Sequence, residues 1–378
     1  MDMNITHPAI ADLRTRARRR IPHFAWEYLD SATGHEHAKA RNRTALDAVL
    51  FAPAILQGLV DTDLRTTFLG QTYDAPFGIA PVGMSGLIWP DAERILAATA
   101  AKARIPYGLS TVATQTPEAV GPKTGGMGWF QMYPPSDADQ RRDMLARAKG
   151  AGFHTLVLTV DVPVASRRER QRRGGITQPP KITPRLLAHI LTCPAWAFGT
   201  AQRGMPRMRT LEKYVDTRIK RPSTEHIGYL IRAAPDWDYL HALRAEWDGK
   251  LIVKGVLRAA DAPELVQAGV DAIWVSNHAG RQFDGAPAAL DALRAVREAT
   301  GDTFPLIFDS GIEGGLDVLR ALALGADMVM LGRAFHFGLG AFGADGAAHV
   351  VRILKEDMIA NMGQMAIKRP SEAKGCLL

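Results

Sequence analysis

Eight short apolar runs, most of them followed by a stretch with helical spacing, constrain this chain more than any other feature. The runs are Phe77 to Gly83, Ile105 to Thr111, Met127 to Tyr133, Thr155 to Asp161, Leu251 to Val256, Ala272 to His278, Pro305 to Gly311 and Met328 to Arg333. They are apolar at successive rather than alternate positions, so both faces are buried, as in a parallel sheet covered by helices. Between them lie helix-compatible segments: Asp91 to Ala103, Ala138 to Ala148, Ala262 to Ala268, Ala288 to Glu298 and Leu316 to Leu324. This alternation predicts an α/β chain folded as a (β/α)8 TIM barrel, with an open doubly wound sheet as the competing arrangement. A length of 378 residues suits one barrel with insertions, and 47% hydrophobic with 22% charged residues supplies a large core. Residues 1–378 read as a single domain. Residues 1–75 form an N-terminal helical extension closing the bottom or edge, and residues 76–370 form the barrel.

One interval breaks the rhythm. About 90 residues separate Asp161 from Leu251, against roughly 20 to 30 elsewhere, and the excess at 170–225 reads as a long loop after strand four. Within it, Leu186 to Leu191 and Trp196 to Phe198 are apolar among basic neighbours. A subunit contact, a lid and a membrane-surface patch all fit that pattern. The net charge of +7 comes largely from Arg14 to Arg20 and Arg167 to Arg173. Without interleaved aromatics or a zinc-finger pattern these runs do not indicate nucleic acid. Cys193 and Cys376 stand apart, so no metal site is expected, and the chain suits a reducing, cytoplasmic compartment. No apolar run is long enough to span a bilayer.

In such barrels the chemistry sits at the C-terminal ends of the strands. Here those ends carry Pro81, Val82 and Gly83, then Ser110, Gln131 with Tyr133, Thr159 with Asp161, Lys254, Ser276 with His278, Asp309 with Gly311, and Gly332 with Arg333. A core needs none of these polar groups, and burying one unpaired costs about 2–7 kcal/mol. Convergence on one mouth therefore predicts a cofactor together with a substrate. Glycines and an arginine on strands seven and eight predict a phosphate-bearing cofactor. In Ser276-Asn277-His278-Ala279-Gly280-Arg281, the histidine can take a proton near neutral pH and the arginine can clamp a carboxylate. Gly338-Leu339-Gly340-Ala341-Phe342-Gly343 fits GxGxxG but follows the last strand, so no dinucleotide is expected there.

From about Ile21 to Gly363 the chain resembles the FMN-dependent α-hydroxy acid dehydrogenase and oxidase family. The motifs are Tyr28, Ala80-Pro81-Val82-Gly83, Leu109-Ser110-Thr111, Phe130-Gln131-Met132-Tyr133, Leu158-Thr159-Val160-Asp161, Arg167-Arg168-Glu169, Val253-Lys254-Gly255, Ser276-Asn277-His278, Arg281, Asp309-Ser310-Gly311 and Gly332-Arg333. The resemblance implies oxidation of an L-2-hydroxy acid to the 2-oxo acid with FMN as cofactor. Pro81, Val82 and Gly83 would lie along the flavin, and Ser110, Gln131, Thr159, Lys254 and Ser276 would bind its ring and ribityl chain. Asp309, Gly311, Gly332 and Arg333 would hold the ribityl and phosphate end. Tyr28, Tyr133, Arg168 and Arg281 would hold the substrate, with His278 as base, Asp161 stabilising its protonated form and Lys254 supplying charge to the reactive ring. The resemblance also implies a homotetramer or octamer and an external electron acceptor: quinone, cytochrome or O2. Gly83 leans toward quinone or cytochrome.

The chain departs from the family pattern at several positions. Glu313 stands where relatives carry an arginine near the phosphate, so either Arg333 and another cation carry that load or FMN binds more weakly. Ala32-Thr33 replaces a Gly-Ala pair. Val112 and Ala165 imply a roomier pocket, admitting lactate-like, longer or aromatic acids. The rival readings are a Schiff-base lyase with Lys254 as nucleophile, an FMN barrel for another substrate class, and a catalytically inert membrane-surface module.

Overall fold

A computed structural model describes residues 2–175, 183–215 and 234–378. The eight apolar runs form one closed parallel barrel, strands Phe77–Ile79, Tyr107–Ser110, Gly128–Met132, Thr155–Thr159, Lys250–Val256, Ala272–Val275, Leu306–Phe308 and Met328–Leu331, the last pairing with the first. The doubly wound alternative is excluded. Seven of the eight strands are shorter than the apolar runs. Ser110, Gln131, Thr159 and Lys254 lie within strands, whereas Ser276, His278, Asp309 and Gly332-Arg333 fall beyond the strand ends, His278 to Gly280 as a 3-10 turn and Arg333 opening a helix.

Period-two geometry explains the two-sided burial. Trp129, Val157, Ile252, Trp274, Ile307, Met328 and Met330 pack together inside the barrel. Their chain neighbours Phe130, Leu156, Leu158, Leu251, Val253, Ile273, Val275, Leu306, Phe308, Val329 and Leu331 pack outward with the helices. Trp129 and Trp274 meet edge-on at 6.4 Å inside the barrel. Truncating either to alanine is expected to cost about 3–5 kcal/mol. Two residues beyond five of these inward side chains comes a polar one on the same face: Gln131 after Trp129, Thr159 after Val157, Lys254 after Ile252, Ser276 after Trp274 and Asp309 after Ile307. The pairing Ser110 with Gln131, and Thr159 with Lys254, sets these groups level.

The N-terminal extension is not only helical and does not only close the bottom. Helix Ile10–Arg20 packs on helix Arg333–Phe342 at the edge, where Gly340 lets Ala17 approach; a Cβ on Gly340 would lie 2.9 Å from the Ala17 Cβ. Helices His23–Asp30 and His37–Asp47 lie at the mouth instead. The bottom is closed by a hairpin, Thr66–Phe68 with Gln71–Tyr73, whose two-residue turn has positive φ at both Leu69 and Gly70. Phe68 and Tyr73 pack on Trp129.

The 170–225 segment is folded where it is described, with helices Pro184–Leu191 and Pro194–Arg203 and a 3-10 turn Arg209–Tyr214; 176–182 and 216–225 lie outside the described residues. The GxGxxG glycines serve helix packing: Gly338 and Gly346 face each other, and a Cβ on Gly346 would lie 1.9 Å from the Gly338 carbonyl. Among the described residues no helix is long and apolar enough to cross a membrane.

Candidate active site at the barrel mouth

A cavity of about 1720 Å³ opens at the C-terminal ends of the strands. That exceeds the roughly 300–1,000 Å³ of an ordinary ligand pocket and admits a cofactor beside a substrate. Tyr28, Pro81, Val82, Gly83, Tyr133, Arg168, Lys254, His278, Arg281, Asp309, Gly311, Gly332 and Arg333 border it, so the structure gathers these expected site residues in one place. Ser110, Gln131, Thr159 and Ser276 are buried beneath it. They form a polar floor: Ser110 Oγ donates to Gln131 Oε1 at 2.8 Å, and Gln131 Nε2 donates to Thr159 Oγ1 at 2.9 Å. Lys254 Nζ donates to Ser276 Oγ at 2.8 Å, lies 3.2 Å from Asp309 Oδ2 and sits over the Trp274 ring. An amine so engaged is poorly placed as a Schiff-base nucleophile.

His278 and Asp161 come together from strands six and four. Strand five is bulged between Lys254 and Val256, and Gly255 there has φ 106°. A Cβ on Gly255 would lie 2.5 Å from the Asp161 Cβ, so only glycine lets Asp161 through. His278 Nδ1 lies 3.0 Å from Asp161 Oδ2 and 3.2 Å from Oδ1. A carboxylate only accepts, so Nδ1 carries the hydrogen and Nε2 keeps the lone pair. His278 itself is held at φ 55°, an uncommon conformation for a side-chain-bearing residue, with its amide bonded to Ser276 Oγ at 3.0 Å. Burial pushes the His278 pKa below its ordinary value, against the opposing pull of Asp161. Burial acts to raise the Asp161 pKa, but His278 and then Lys254 hold it below the usual carboxylate range.

Helix His23–Asp30 ends over the mouth, and its last carbonyls receive the site's cations. Arg281 Nη1 donates to the Tyr28 and Ser31 carbonyls, both at 2.8 Å. Arg333 donates to Leu29 O at 3.0 Å and Ser31 O at 2.9 Å, and Lys39 Nζ donates to Asp30 O at 2.7 Å. A helix C-terminus attracts cations, and its last carbonyls lack partners within the helix, so these bonds complete the cap. Burial first, and Arg168 second, lower the Arg281 pKa to about 9. Tyr28 Oη donates to Gly83 O at 2.8 Å. Burial first, and Asp161 next, push the Tyr133 phenol well up, so it is a neutral donor. Arg168 stands at φ 45°, its amide donating to Thr33 Oγ1 at 3.2 Å and its Nε to Ser166 Oγ at 3.0 Å.

The sequence of FMN-dependent dehydrogenases, taken as a family profile, matches residues 17–378. The chain belongs to the FMN-dependent dehydrogenase family. It is therefore an FMN-dependent oxidoreductase. An L-lactate dehydrogenase of Serratia proteamaculans is 37% identical over 365 residues, covering 95% of each chain. One from Pseudomonas aeruginosa is 36% identical over 354 residues, covering 93% of this chain and 92% of that one. Among solved structures, monotopic membrane protein (S)-mandelate dehydrogenase superposes with a TM-score of 0.92 at 31% identity and 98% coverage of both chains. A soluble mutant of the membrane-associated (S)-mandelate dehydrogenase from Pseudomonas putida gives 0.82 at 30% identity, covering 98% of this chain and 99% of that one.

The residues present fit FMN. The floor offers a row of uncharged donors and acceptors, Lys254 a fixed positive charge, and the far end a set of cations beside Gly311 and Gly332. Reading strand ends did not find four groups that shape this FMN-dependent dehydrogenase's site. Asn42 and Asn277 exchange amide bonds at 2.9 and 2.7 Å, and Ser310 Oγ accepts from Ala279 N at 3.0 Å. Asp30 joins Arg14, Lys39 and Arg170, and its pKa falls to about 2; burial acts to raise it, but Lys39 and Arg14 outweigh that. His336 and Ser85 bridge the ends of strands eight and one.

Proposed function

We propose that this FMN-dependent dehydrogenase oxidises an L-2-hydroxy acid to its 2-oxo acid, with His278 as the base. The observation that carries this reading is the His278–Asp161 pair, 3.0 Å apart, in a cavity that Arg281 also borders. Bound FMN supplies the two-electron acceptor. Oxidation removes two electrons and two protons from the substrate's carbinol; His278 Nε2 takes one of those protons, and the other would pass to the flavin with the electron pair. Asp161 then faces an imidazolium and stabilises it. Arg281, with Arg168, clamps the substrate carboxylate and fixes the reacting carbon. Tyr28 and Tyr133 border the same space as neutral hydrogen-bonding groups. Pro81, Val82, Gly83, Ser110, Gln131, Thr159, Lys254 and Ser276 would hold the ring end, and Asp309, Gly311, Gly332 and Arg333 the phosphate end.

Ala165, beside Val162, Pro163 and Val164, lines the rim with small apolar groups, which favours a lactate-like or larger, even aromatic, side chain. Gly83 supports quinone or cytochrome over O2 as acceptor. Anaerobic mixing with L-lactate, glycolate, L-mandelate and longer 2-hydroxy acids tests the reading. The yellow protein should bleach with at least one of them and be reoxidised by a quinone faster than by oxygen. A flavin that stays oxidised against the whole panel would refute it.

A peripheral membrane contact is a second element of this reading. Helices Pro184–Leu191 and Pro194–Arg203 expose Leu187, Leu191 and Phe198 near Met205, and Arg185, Arg203 and Arg207 stand exposed among them. Apolar side chains ringed by arginine suit an anionic bilayer surface. The protein should co-sediment with phosphatidylglycerol vesicles and release when Leu191 and Phe198 are both changed to aspartate; equal sedimentation of the double variant would end the idea.

A further inference from the structure

The phosphate end of the cavity poses an electrostatic problem. Glu313, exposed, lines that end, and its amide donates to Asp317 Oδ2 at 2.9 Å. Arg43 also lines it, but its guanidinium is taken by Asp317, at 2.6 and 2.7 Å, and by Asp47, at 2.7 and 2.9 Å. Arg14 gives both its Nε and Nη2 to Asp30 Oδ1, at 3.1 and 2.8 Å. Among the described residues, the remaining cations there are Arg333 and Lys39.

Lys39 is built into its place. Helix His37–Asp47 is pressed onto the loop that carries Arg281, because a Cβ on Gly280, at φ 75°, would lie 2.8 Å from the Lys39 amide nitrogen. The ammonium donates to Asp30 O at 2.7 Å and Asp30 Oδ2 at 3.4 Å. Glu36 Oε2, at 3.7 Å, lies beyond hydrogen-bond reach. One of the three N–H donors is left over. Lys39 and Arg333 bond to adjacent carbonyls of the same helix end, so two positive charges are held side by side. The acidic partners do not cancel them: Glu27, Asp30 and Glu36 already answer Arg170, and Asp30 answers Arg14 as well. At this helix end four cations, Arg14, Lys39, Arg170 and Arg333, thus face three carboxylates, with Glu313 as a fourth along the cavity and Arg168 and Arg281 as further cations. Burial, and then the charge of Arg333, lower the Lys39 pKa, against the opposing pull of Asp30 and Glu36.

We infer that Lys39, from the N-terminal extension, is a direct ligand of the FMN phosphate together with Arg333, supplying the positive charge that position 313 lacks. The inference rests on the FMN reading of this cavity. A phosphate of about −1.5 to −2 charge placed between the two groups relieves their repulsion and takes up the spare ammonium donor.

Riboflavin, which has the same ring and no phosphate, separates this role from a structural one. Deflavinated protein is titrated with FMN and with riboflavin, followed by flavin fluorescence quenching, for wild type, Lys39→Met and Lys39→Arg. Lys39→Met should weaken FMN at least about tenfold, the size of one lost charge-assisted bond, and leave riboflavin within about twofold. Lys39→Arg should keep most of the preference for FMN. A parallel loss of both flavins in Lys39→Met would assign Lys39 to packing and overturn the inference. So would unchanged FMN binding. Wild type that binds neither flavin would refute the cofactor reading itself, and the inference with it.

Discussion

Two histidines at this barrel mouth have opposite surroundings. His278 faces a carboxylate through Nδ1 and keeps Nε2 unprotonated beside the cavity. His336 is fully buried, donates Nδ1–H to the Gly332 carbonyl at 2.8 Å, and meets only the Ser85 hydroxyl, 2.7 Å from Nε2. Burial lowers the pKa of both. For His278 Asp161 pulls it back up, whereas for His336 only the Gly332 carbonyl resists, and the pKa falls to about 4. The lesson is that burial alone removes a histidine from acid–base chemistry; a carboxylate partner restores it.

The sharpest way to break the comparison is to remove each imidazole in turn. His278→Gln should lower the anaerobic rate of flavin reduction by about 10³-fold or more, while His336→Gln should change it by less than about tenfold. Comparable losses would mean that the two histidines do not differ in role. Asp161→Asn should make His278 resemble His336, with a loss of about a hundredfold. Its pH profile is equally informative. The reactive form is neutral His278, so the rate rises with pH along a limb below about 6.5 and is level above it. Asp161 raises the His278 pKa, so Asp161→Asn must move that limb to lower pH even as the plateau drops. A limb that moves upward in stopped-flow measurements would contradict the pairing.

His336 leaves its mark on stability instead. Its folded pKa of about 4 lies below the ordinary 6.5, so between these pH values the unfolded chain binds a proton that the fold refuses. Its contribution is intact above pH 6.5, declines as pH falls toward 4 and is exhausted below that, a loss of up to about 3 kcal/mol. Urea denaturation from pH 7 to pH 4 should show that decline in wild type and a shallower one in His336→Gln. Identical slopes would mean that His336 is not held neutral.

How much of this could be read in the chain follows from the range of the contacts. Gln131, Thr159, Lys254, Ser276 and Asp309 were legible because each continues the inward period of a strand by two residues, a local rule. His278 and Arg281 were legible as the tip of a buried run. Lys39, Asn42, Ser85 and His336 were not: Asn42 finds Asn277, and Ser85 finds His336, across 235 and 251 residues, and no local pattern encodes such pairs. The bottom hairpin was missed because three-residue strands show almost no alternation, although Gly70 marked its turn. The helix before strand three was missed because Pro117–Val120 is a single turn. The 170–225 segment was read as loop from the length of its interval, although Thr183 and Pro184 open a helix there by a threonine cap and a first-turn proline.

The smallest expected effect tests the proton count at His336. Nδ1 carries the hydrogen, so neutral Nε2 can only accept. Ser85 has one hydroxyl proton, and both Nε2, at 2.7 Å, and the Val82 carbonyl, at 2.9 Å, are placed to receive it. One acceptor therefore goes short while His336 is neutral. An imidazolium would satisfy every group, donating Nε2–H to Ser85 as Ser85 donates to Val82. Ser85→Ala removes one shared bond at neutral pH, a cost of about 1 kcal/mol. In acid it also removes the only acceptor for Nε2–H, so the His336 pKa should fall further. The acid decline in stability should then extend to lower pH than in wild type. A Ser85→Ala variant whose decline ends at higher pH would show that the hydroxyl opposes the imidazolium, and the proton count would be wrong.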